Sequence, residues 1–600
     1  MTPPGLTLPQ MLLRQAGTHP DRVAIRQKDF GIWAPTTWRG YAERAEAVGA
    51  GLAAIGLPPE GHVAVLSENR IEWVLSQLGA AMLRAITVGV YPTSPHPEVG
   101  YVLEHSDSQI VVCEDQEQVD KVLEERHRLP ALKRIVVVET KGMRAYPADL
   151  VIAFDALEEM GRAHLAADPA MLRAGLERQS LDDVALMIYT SGSTGRPKGA
   201  MLTYRNLRAQ AIAATGVLGL TAADTHLSYL PLCHVAEQIV TTMAPIYVGS
   251  QVNFGESLRT VQEDLRELAP TIFLGVPRIW EKLHAAIHIR MVEAGGIRKR
   301  LYDAALAACA SFATVPRERR TAGQRLTAAL WYVLVFRGLL QSIGLSRARI
   351  AMTGAAPISP RIVAYFRTIG VPLVEVYGAT ETSGIVLGQR RGTLLAGSVG
   401  VPIENAAVRL GEDGEILVKG EVVFAGYYRN EAATAAAVRD GWLHTGDVAR
   451  VEDGQYLIVD RLKDIMITAG GKNLAPSEIE NAMKASPYIK ECVVIGEKRR
   501  FVAALIQLDF DTVAQWAEEQ RLAYTTFRSL AEMPAVRDLI AAEVDAANAA
   551  MAPVARVRRF HLLAKELDHD DNEVTATMKV RRANITEKYA EEIERLYRAA

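Results

Sequence analysis

The sequence predicts an α/β fold: a large N-terminal domain of parallel α/β sheets ending in a small β-subdomain, followed by a second, smaller domain. Three observations carry this. From Gly61 onward, short apolar runs alternate with helical periods, the mark of parallel strands covered on both faces. From Gly397 the texture changes to short, glycine-punctuated β-runs. A chain of 600 residues with 49% hydrophobic content is also too long for one ordinary core and has enough apolar material to fill two or more.

Lys plus Arg total 67 against 70 acidic residues, a net charge of −3, which argues against a general nucleic-acid binder. Cys113, Cys233, Cys309 and Cys492 lie far apart with no CxxC pair, so neither a disulfide framework nor a zinc site is expected, and a reducing cytoplasm is. The N-terminus lacks the basic start and long apolar core of a secretory signal. The longest apolar run, 326–336, falls short of the ~20 residues a membrane span needs.

In chain order, VAVL at 63–66 reads as a strand, 71–83 as a helix behind Ser67 and Asn69, and AITVGVYP, IVVCE from Ile110 and IVVVE from Ile135 as further strands. The apolar run 184–189 then leads into YTSGSTGRPKG, 189–199. Thr190, Ser191, Gly192, Ser193, Thr194 and Gly195 can turn amides and hydroxyls into one concavity, with Lys198 behind them, which suits a nucleotide polyphosphate. A strand feeding a helix is the expected setting. The loop is not the P-loop of kinases and GTPases: Gly192 and Gly195 are too close together, Pro197 precedes the lysine, and Gly199 stands where a hydroxyl is required. A flexible linker is the bland alternative.

LSYLPLCHVAEQ, 227–238, reads as a strand that breaks at Pro231 and hands over to a helix; His234 is either a helix-start histidine or part of a site. APTIFLGVPRIWEKL, 269–283, reads as a buried strand, a turn at Gly275 and Pro277, and a helix, with core packing as the plain role of Val276 and Ile279. Basic clusters at 298–300 and 317–320 flank the apolar run 326–336, a helix that can lie on a membrane surface or pack; packing is favoured. AMTGAAPISP and VPLVEVYGATETSG each follow a β-run, at the strand ends where open α/β sheets bind ligands. Asp447 in GWLHTGD suits a ribose diol or a turn. The stretch DRLKD, 460–464, closes the β-region and opens the second domain. There PSEIE reads as a helix start in which Glu480 reaches back to Ser477. Lys579, taken alone, is a solvated surface lysine.

The string 189–199, with PLCH, GAAP, YGATE, GWLHTGD, DRLKD and the terminal TATMK in order over nearly the whole chain, resembles the adenylate-forming superfamily, most closely its long-chain fatty acyl members. The resemblance implies a large domain at 1–459, with the β-subdomain at about 385–459, and a mobile α+β domain at 460–600 hinged at Asp460. Gly354, Ala355, Ala356 and Pro357 then border adenine, Tyr377 stacks on it beside Gly378, Thr380 meets the α-phosphate, and Glu381 holds Mg²⁺. Asp447 and Arg461 hold the ribose, and Lys579 binds the carboxylate and α-phosphate. His234, Val235, Gly275, Val276 and Ala379 line the acyl pocket, with His234 as wall and gate, and Gly470, Gly471 and Lys472 border the CoA tunnel. The terminal string has TAT where long-chain members commonly have TPT, a departure that loosens the substrate class.

The implied reaction is ATP-dependent formation of an acyl-adenylate and then an acyl-CoA, with ATP, Mg²⁺, CoA and a hydrophobic carboxylic acid as its small molecules. The expected setting is the cytoplasm, with peripheral contact at the inner membrane face left open. Alternatives are a ligase for bulky aryl-alkanoic or bile-acid-like acids, an acyl-AMP ligase that loads a carrier protein, and a non-catalytic nucleotide sensor. A sensor is expected to have lost Glu381 or Lys579, and both are present.

Overall fold

The structure is a computed structural model. It describes residues 5–190, 196–216, 218–257, 259–390, 395, 397–569, 571–575 and 579–598. Two large sheets form the first domain. In the nine-stranded sheet, Leu373–Ala379, Ile350–Thr353, Ile272–Gly275, Thr225–Ser228, Gln251–Phe254 and Val23–Asp29 lie side by side and parallel, with antiparallel strands at both edges. In the eight-stranded sheet, the parallel set Val184–Thr190, Ile86–Val90, His62–Leu66, Ile110–Cys113, Arg134–Val137 and Val151–Ala153 is extended by the antiparallel strands Lys198–Thr203 and Gly426–Tyr427.

The apolar runs in the sequence have a direct structural cause. Every residue of His62–Leu66 and Ile110–Cys113 is buried, as a strand covered on both faces requires. The helix Ile71–Met82 is buried on all sides, and it crosses Trp38–Ala54 at a pair of glycines. A Cβ on Gly49 would fall 2.9 Å from the Gly79 carbonyl oxygen, so the two backbones touch where no side chain fits. One core, including Trp38, Trp73, Phe154 and Phe254, joins both sheets.

The short-strand sheet comprises Ala406–Leu410, Glu415–Gly420, Trp442–Glu452, Val438–Arg439 and Gln455–Arg461. Strands Gly384–Gly388 and Val401–Pro402 extend the nine-stranded sheet instead, so the β-subdomain sheet starts at Ala406, later than the texture of the sequence suggested. The last domain has a sheet of Ile489–Ile495, Val502–Leu508 and Val557–Leu562, covered on both faces. Cys492, Val494, Ala504 and Ile506 join one core, while Val493, Ile495 and Leu505 join Ile585 and Ile593 in another. That alternation is the period-2 pattern of a strand.

Two expectations are corrected. Glu480 does not reach back to Ser477: its Oε1 accepts from the Val494 amide at 2.8 Å and from Arg582 at 2.6 Å. Asp460 takes Ser477 instead. The apolar run 326–336 also packs only in part. One stripe, with Trp331, Phe336, Leu339 and Leu340, faces the core, but a single helix face cannot bury the whole run, and Leu326, Leu330, Val333 and Leu334 point to solvent.

Candidate active site

Four neighbouring parallel strands bring the motifs to one edge of the nine-stranded sheet. Thr225–Ser228 leads to His234, Ile272–Gly275 to Val276, Ile350–Thr353 to Gly354, and Leu373–Ala379 carries Tyr377 into Glu381. The registers Gly275 with Thr353 and Thr353 with Glu375 make these ends adjacent. Carboxyl ends of parallel strands are where such sheets hold ligands.

On the nucleotide side, Gly354 sits against the next strand: a Cβ there would lie 2.9 Å from the Val376 carbonyl oxygen. Ala355 adopts φ +67°, a left-handed conformation that costs a non-glycine residue on the order of 1–3 kcal/mol. Gly378 has no room for a side chain, since a Cβ would meet the Gly384 carbonyl at 1.8 Å. Tyr377 Oη donates to Asp447 Oδ2 at 2.7 Å, and Arg461 Nε lies 3.5 Å from Asp447 Oδ1. Burial pushes the Asp447 carboxyl up, and Tyr377, Arg461 and Lys579 oppose that shift. Tyr377, Asp447 and Arg461 are therefore one connected group, although the last two come from the β-subdomain sheet.

On the phosphate side, Thr190 pairs with Lys198 across antiparallel strands. The described residues on either side are antiparallel strands, Val184–Thr190 and Lys198–Thr203, where the sequence suggested a strand followed by a helix. Ser191, Gly192, Ser193, Thr194 and Gly195 lie outside the described residues. Thr380 is buried in the short helical turn Thr380–Thr382, which Thr382 closes by accepting from the Ala379 amide at 2.8 Å.

Glu381 is held by a residue whose role the sequence does not suggest. Tyr427 Oη donates to Glu381 Oε1 at 2.7 Å, and Lys198 Nζ lies 5.1 Å from the centre of the Tyr427 ring. The Phe424 amide also donates to the Glu381 carbonyl at 3.0 Å. Gly426–Tyr427 pairs with Lys198–Thr203, so this strand ties the end of the phosphate hairpin to Glu381 on the other sheet.

Lys579 comes into the same cleft from the C-terminal domain. Its backbone closes a tight loop, with Thr575 N donating to Lys579 O at 2.8 Å and Lys579 N to Thr575 Oγ1 at 3.1 Å. The side chain is solvent-accessible, yet it lies near enough to Arg461, Asp447 and Glu381 for their charges to act on it. Protein crowding and Arg461 hold its ammonium below the ordinary lysine range, while Asp447 and Glu381 pull the other way. Ala576 to Met578, in the same string, are outside the described residues.

His234 caps the helix Val235–Gln238, its Nδ1 accepting from Ala236 N at 3.1 Å. Burial and the Lys579 charge hold it down to about 4, so near pH 7 the ring is neutral with its proton on Nε2. In this pose the neutral ring can wall the cleft. Val235 is buried behind it.

On the side expected to take the acyl chain, Gly275 packs against Trp280. Trp280 Nε1 donates to Gly275 O at 2.9 Å, and a Cβ on Gly275 would lie 2.6 Å from that nitrogen, so the indole fills the space a side chain at 275 would need. An apolar cavity lies elsewhere, lined by Ala214, Leu218, Ile239, Val240, Ala244 and Met352. It borders the active-site turn, because Ile239 Cδ1 packs against Gly384.

The turn with Gly470, Gly471 and Lys472 joins the strands Met466–Ile467 and Asn473–Leu474 and faces solvent, with open space around Gly471. Asp460, buried, accepts from Ser477 N and Ser477 Oγ, each at 2.9 Å, across the junction of the two domains. Thus Lys579 is in the cleft while the glycine turn is out of it.

Comparison with known proteins agrees with this organisation. The AMP-binding enzyme family matches residues 12–428, and the AMP-binding enzyme C-terminal domain matches 463–600. The chain is 33% identical over 596 residues to the long-chain-fatty-acid–CoA ligase FadD15 of Mycobacterium bovis, covering 98% of this chain and 96% of that protein. It is 29% identical over 634 residues to the long-chain-fatty-acid–CoA ligase ACSBG2 of Rattus norvegicus, covering 99% and 93%. The A-PCP didomain of carboxylic acid reductase from Segniliparus rugosus in complex with AMP shares the fold at 20% identity, with a TM-score of 0.76 and coverage of 99% and 82%. A two-domain match along nearly the whole chain, and a relative one-third identical end to end, show that this chain belongs to the AMP-binding enzyme family.

Proposed function

We propose that the protein is an AMP-forming acyl-CoA synthetase acting on a hydrophobic carboxylic acid, a long-chain fatty acid in the first instance. Beyond family membership, the observation that carries this is the meeting of Lys579 with Asp447, Arg461 and Glu381 in one cleft. The substrate class is drawn from relatives named long-chain-fatty-acid–CoA ligases.

In the first step a carboxylate oxygen bonds to the α-phosphorus of ATP and the bond to pyrophosphate breaks. In the second, the CoA thiolate bonds to the acyl carbon and AMP leaves. Carboxylate and polyphosphate repel each other, so the residues' work is positioning and charge neutralisation. Tyr377 and the Gly354–Pro357 backbone take the adenine, Asp447 and Arg461 the ribose, Thr380 and Lys579 the α-phosphate, and Lys198 the distal phosphates. Residues Gly470 to Lys472 border pantetheine once the small domain has turned about Asp460.

Glu381 suits Mg²⁺, which is commonly held by one or two carboxylates together with substrate phosphates. No cluster of three His, Cys, Asp or Glu side chains that could hold an ion without phosphates occurs among the described residues. One Glu381 oxygen is taken by Tyr427. Bound there, Mg²⁺ supplies charge neutralisation on the polyphosphate. No helix among the described residues is long and apolar enough to cross a membrane. We place the enzyme in the cytoplasm, drawing its acid from the inner membrane face.

The test is pyrophosphate release over carboxylic acids of graded length and bulk, with and without CoA. Long-chain acids with CoA are expected to give continuous turnover. No release with any acid overturns the reading, and transfer only to a carrier protein's phosphopantetheine makes the protein an acyl-AMP ligase instead.

A further inference from the structure

The helices Gly296–Ala310 and Ala322–Trp331 form a hairpin that continues through the wide turn Tyr332–Phe336 into Arg337–Ser342. Its inner stripe is core. Its outer side carries Ile297, Leu301, Leu326, Leu330, Val333 and Leu334, of which Ile297 is 75% exposed, Leu326 72% and Val333 66%. Soluble surfaces scatter such residues singly, and six on one hairpin mark a surface made to be covered.

Charge identifies the cover. Between 296 and 342 the chain has eight basic residues against Asp303 and Glu318, on a protein whose total is −3. Arg298, Arg300, Arg319 and Arg337 are exposed and have no carboxylate partner among the described residues; Lys299 pairs with Asp303. Leu326, Leu330, Val333 and Leu334 recur at helical spacing, as in a helix lying in a bilayer interface with its apolar face among acyl chains and its cations at the phosphates. A second copy of this chain on the same face would bring two basic hairpins together, which like-charge repulsion opposes.

We propose that this hairpin docks the enzyme on an anionic lipid bilayer, the aliphatic side chains entering the headgroup–acyl boundary and the arginines meeting lipid phosphates. Neither the family membership nor the active-site assignments bear on it. The hairpin follows directly from the last turn of the helix Pro277–Ala294.

The experiment is co-sedimentation of the full chain with vesicles of phosphatidylcholine alone or mixed with phosphatidylglycerol. Binding to the anionic vesicles, weakened by salt, is expected. Replacing Leu326, Leu330, Val333 and Leu334 together by Gln should reduce it at least about tenfold. Replacing Arg298, Arg300 and Arg337 by Gln should reduce it by about fivefold per charge. Because all these side chains are exposed, both variants should unfold at the wild-type temperature, which separates lost docking from lost folding. Wild-type protein that ignores anionic vesicles, or variants that sediment as wild type does, overturns the proposal. So does a wild-type dimer that the leucine–valine variant converts to monomer with vesicle binding unchanged, which makes the face a contact between copies.

Discussion

Tyr427 Oη donates a 2.7 Å hydrogen bond to Glu381 Oε1, joining a strand of one large sheet to the acidic residue at the strand end of the other. A hydrogen bond to a charged group is worth about 1.5–3 kcal/mol. Tyr427→Phe should therefore cost roughly tenfold or more in kcat/KM for adenylation and raise the Mg²⁺ concentration needed for half-maximal rate. The ring and its contact with Lys198 remain, so Tm should barely change. Glu381→Gln should raise the Mg²⁺ requirement further. If Tyr427→Phe loses rate with an unchanged Mg²⁺ dependence, Tyr427 does not orient Glu381.

Glu381 and Tyr427 also show what can be read from a sequence. Glu381 stands in YGATE after a β-run, a recognisable string. Tyr427 stands in a plain GYY, and only the pairing of Gly426–Tyr427 with Lys198–Thr203 brings it to Glu381. The parallel sheet was legible because strands buried on both faces must be continuously apolar. The exposure of Leu326 and Val333 was not, because an apolar run does not say which faces find partners. Gly275 could not be resolved from its string either: a glycine that opens a tunnel and one that admits Trp280 look the same.

Lys579 should leave its mark on the pH profile. In the proposed mechanism its ammonium is the active form, and the surrounding protein together with Arg461 lowers its affinity for the proton. Hence kcat/KM for adenylation, which reports the free enzyme, should fall as pH rises through a value below the ordinary 10.5 of lysine. Arg461→Met removes a neighbouring positive charge and should move that limb to higher pH, whatever it does to the absolute rate. A limb that stays put or moves down means that Lys579 does not set it. Lys579→Ala should slow adenylation by ~10²-fold while sparing thioester formation from supplied acyl-adenylate.

The small cavity lined by Ala214, Val240 and Met352, about 20 Å³, lies next to the active-site turn and is the candidate seat for the terminal methyl of an acyl chain. Val240→Phe fills it. Overpacking costs about 1–3 kcal/mol of stability, which thermal unfolding will read. In the folded variant, long acids should lose at least ~10-fold more kcat/KM than short ones, since each excluded methylene is worth about 1–3 kcal/mol. Equal loss at every chain length means the chain lies elsewhere.

The last prediction concerns the movement that the two half-reactions require. Lys579 is in the cleft, whereas Gly470 and Gly471 face solvent, and both belong to the domain beyond Asp460. On the proposed mechanism, that arrangement is the adenylation pose and pantetheine gains its border only after a few torsions near Asp460 have turned the small domain. Two further contacts hold the present pose: Gln515 donates from the small domain to Glu293 on the large one, and Glu281 lies within charge reach of Lys484. Glu293→Cys with Gln515→Cys, joined by a short bis-maleimide, should lock this pose. All four native cysteines are buried, so the reagent should find the introduced pair. The locked enzyme should release a burst of about one pyrophosphate per site and then make acyl-CoA at least ~10²-fold more slowly than the unlinked variant, because the domain cannot turn. Acyl-CoA formed at the unlinked rate by fully cross-linked protein would mean that thioester formation needs no rotation about Asp460.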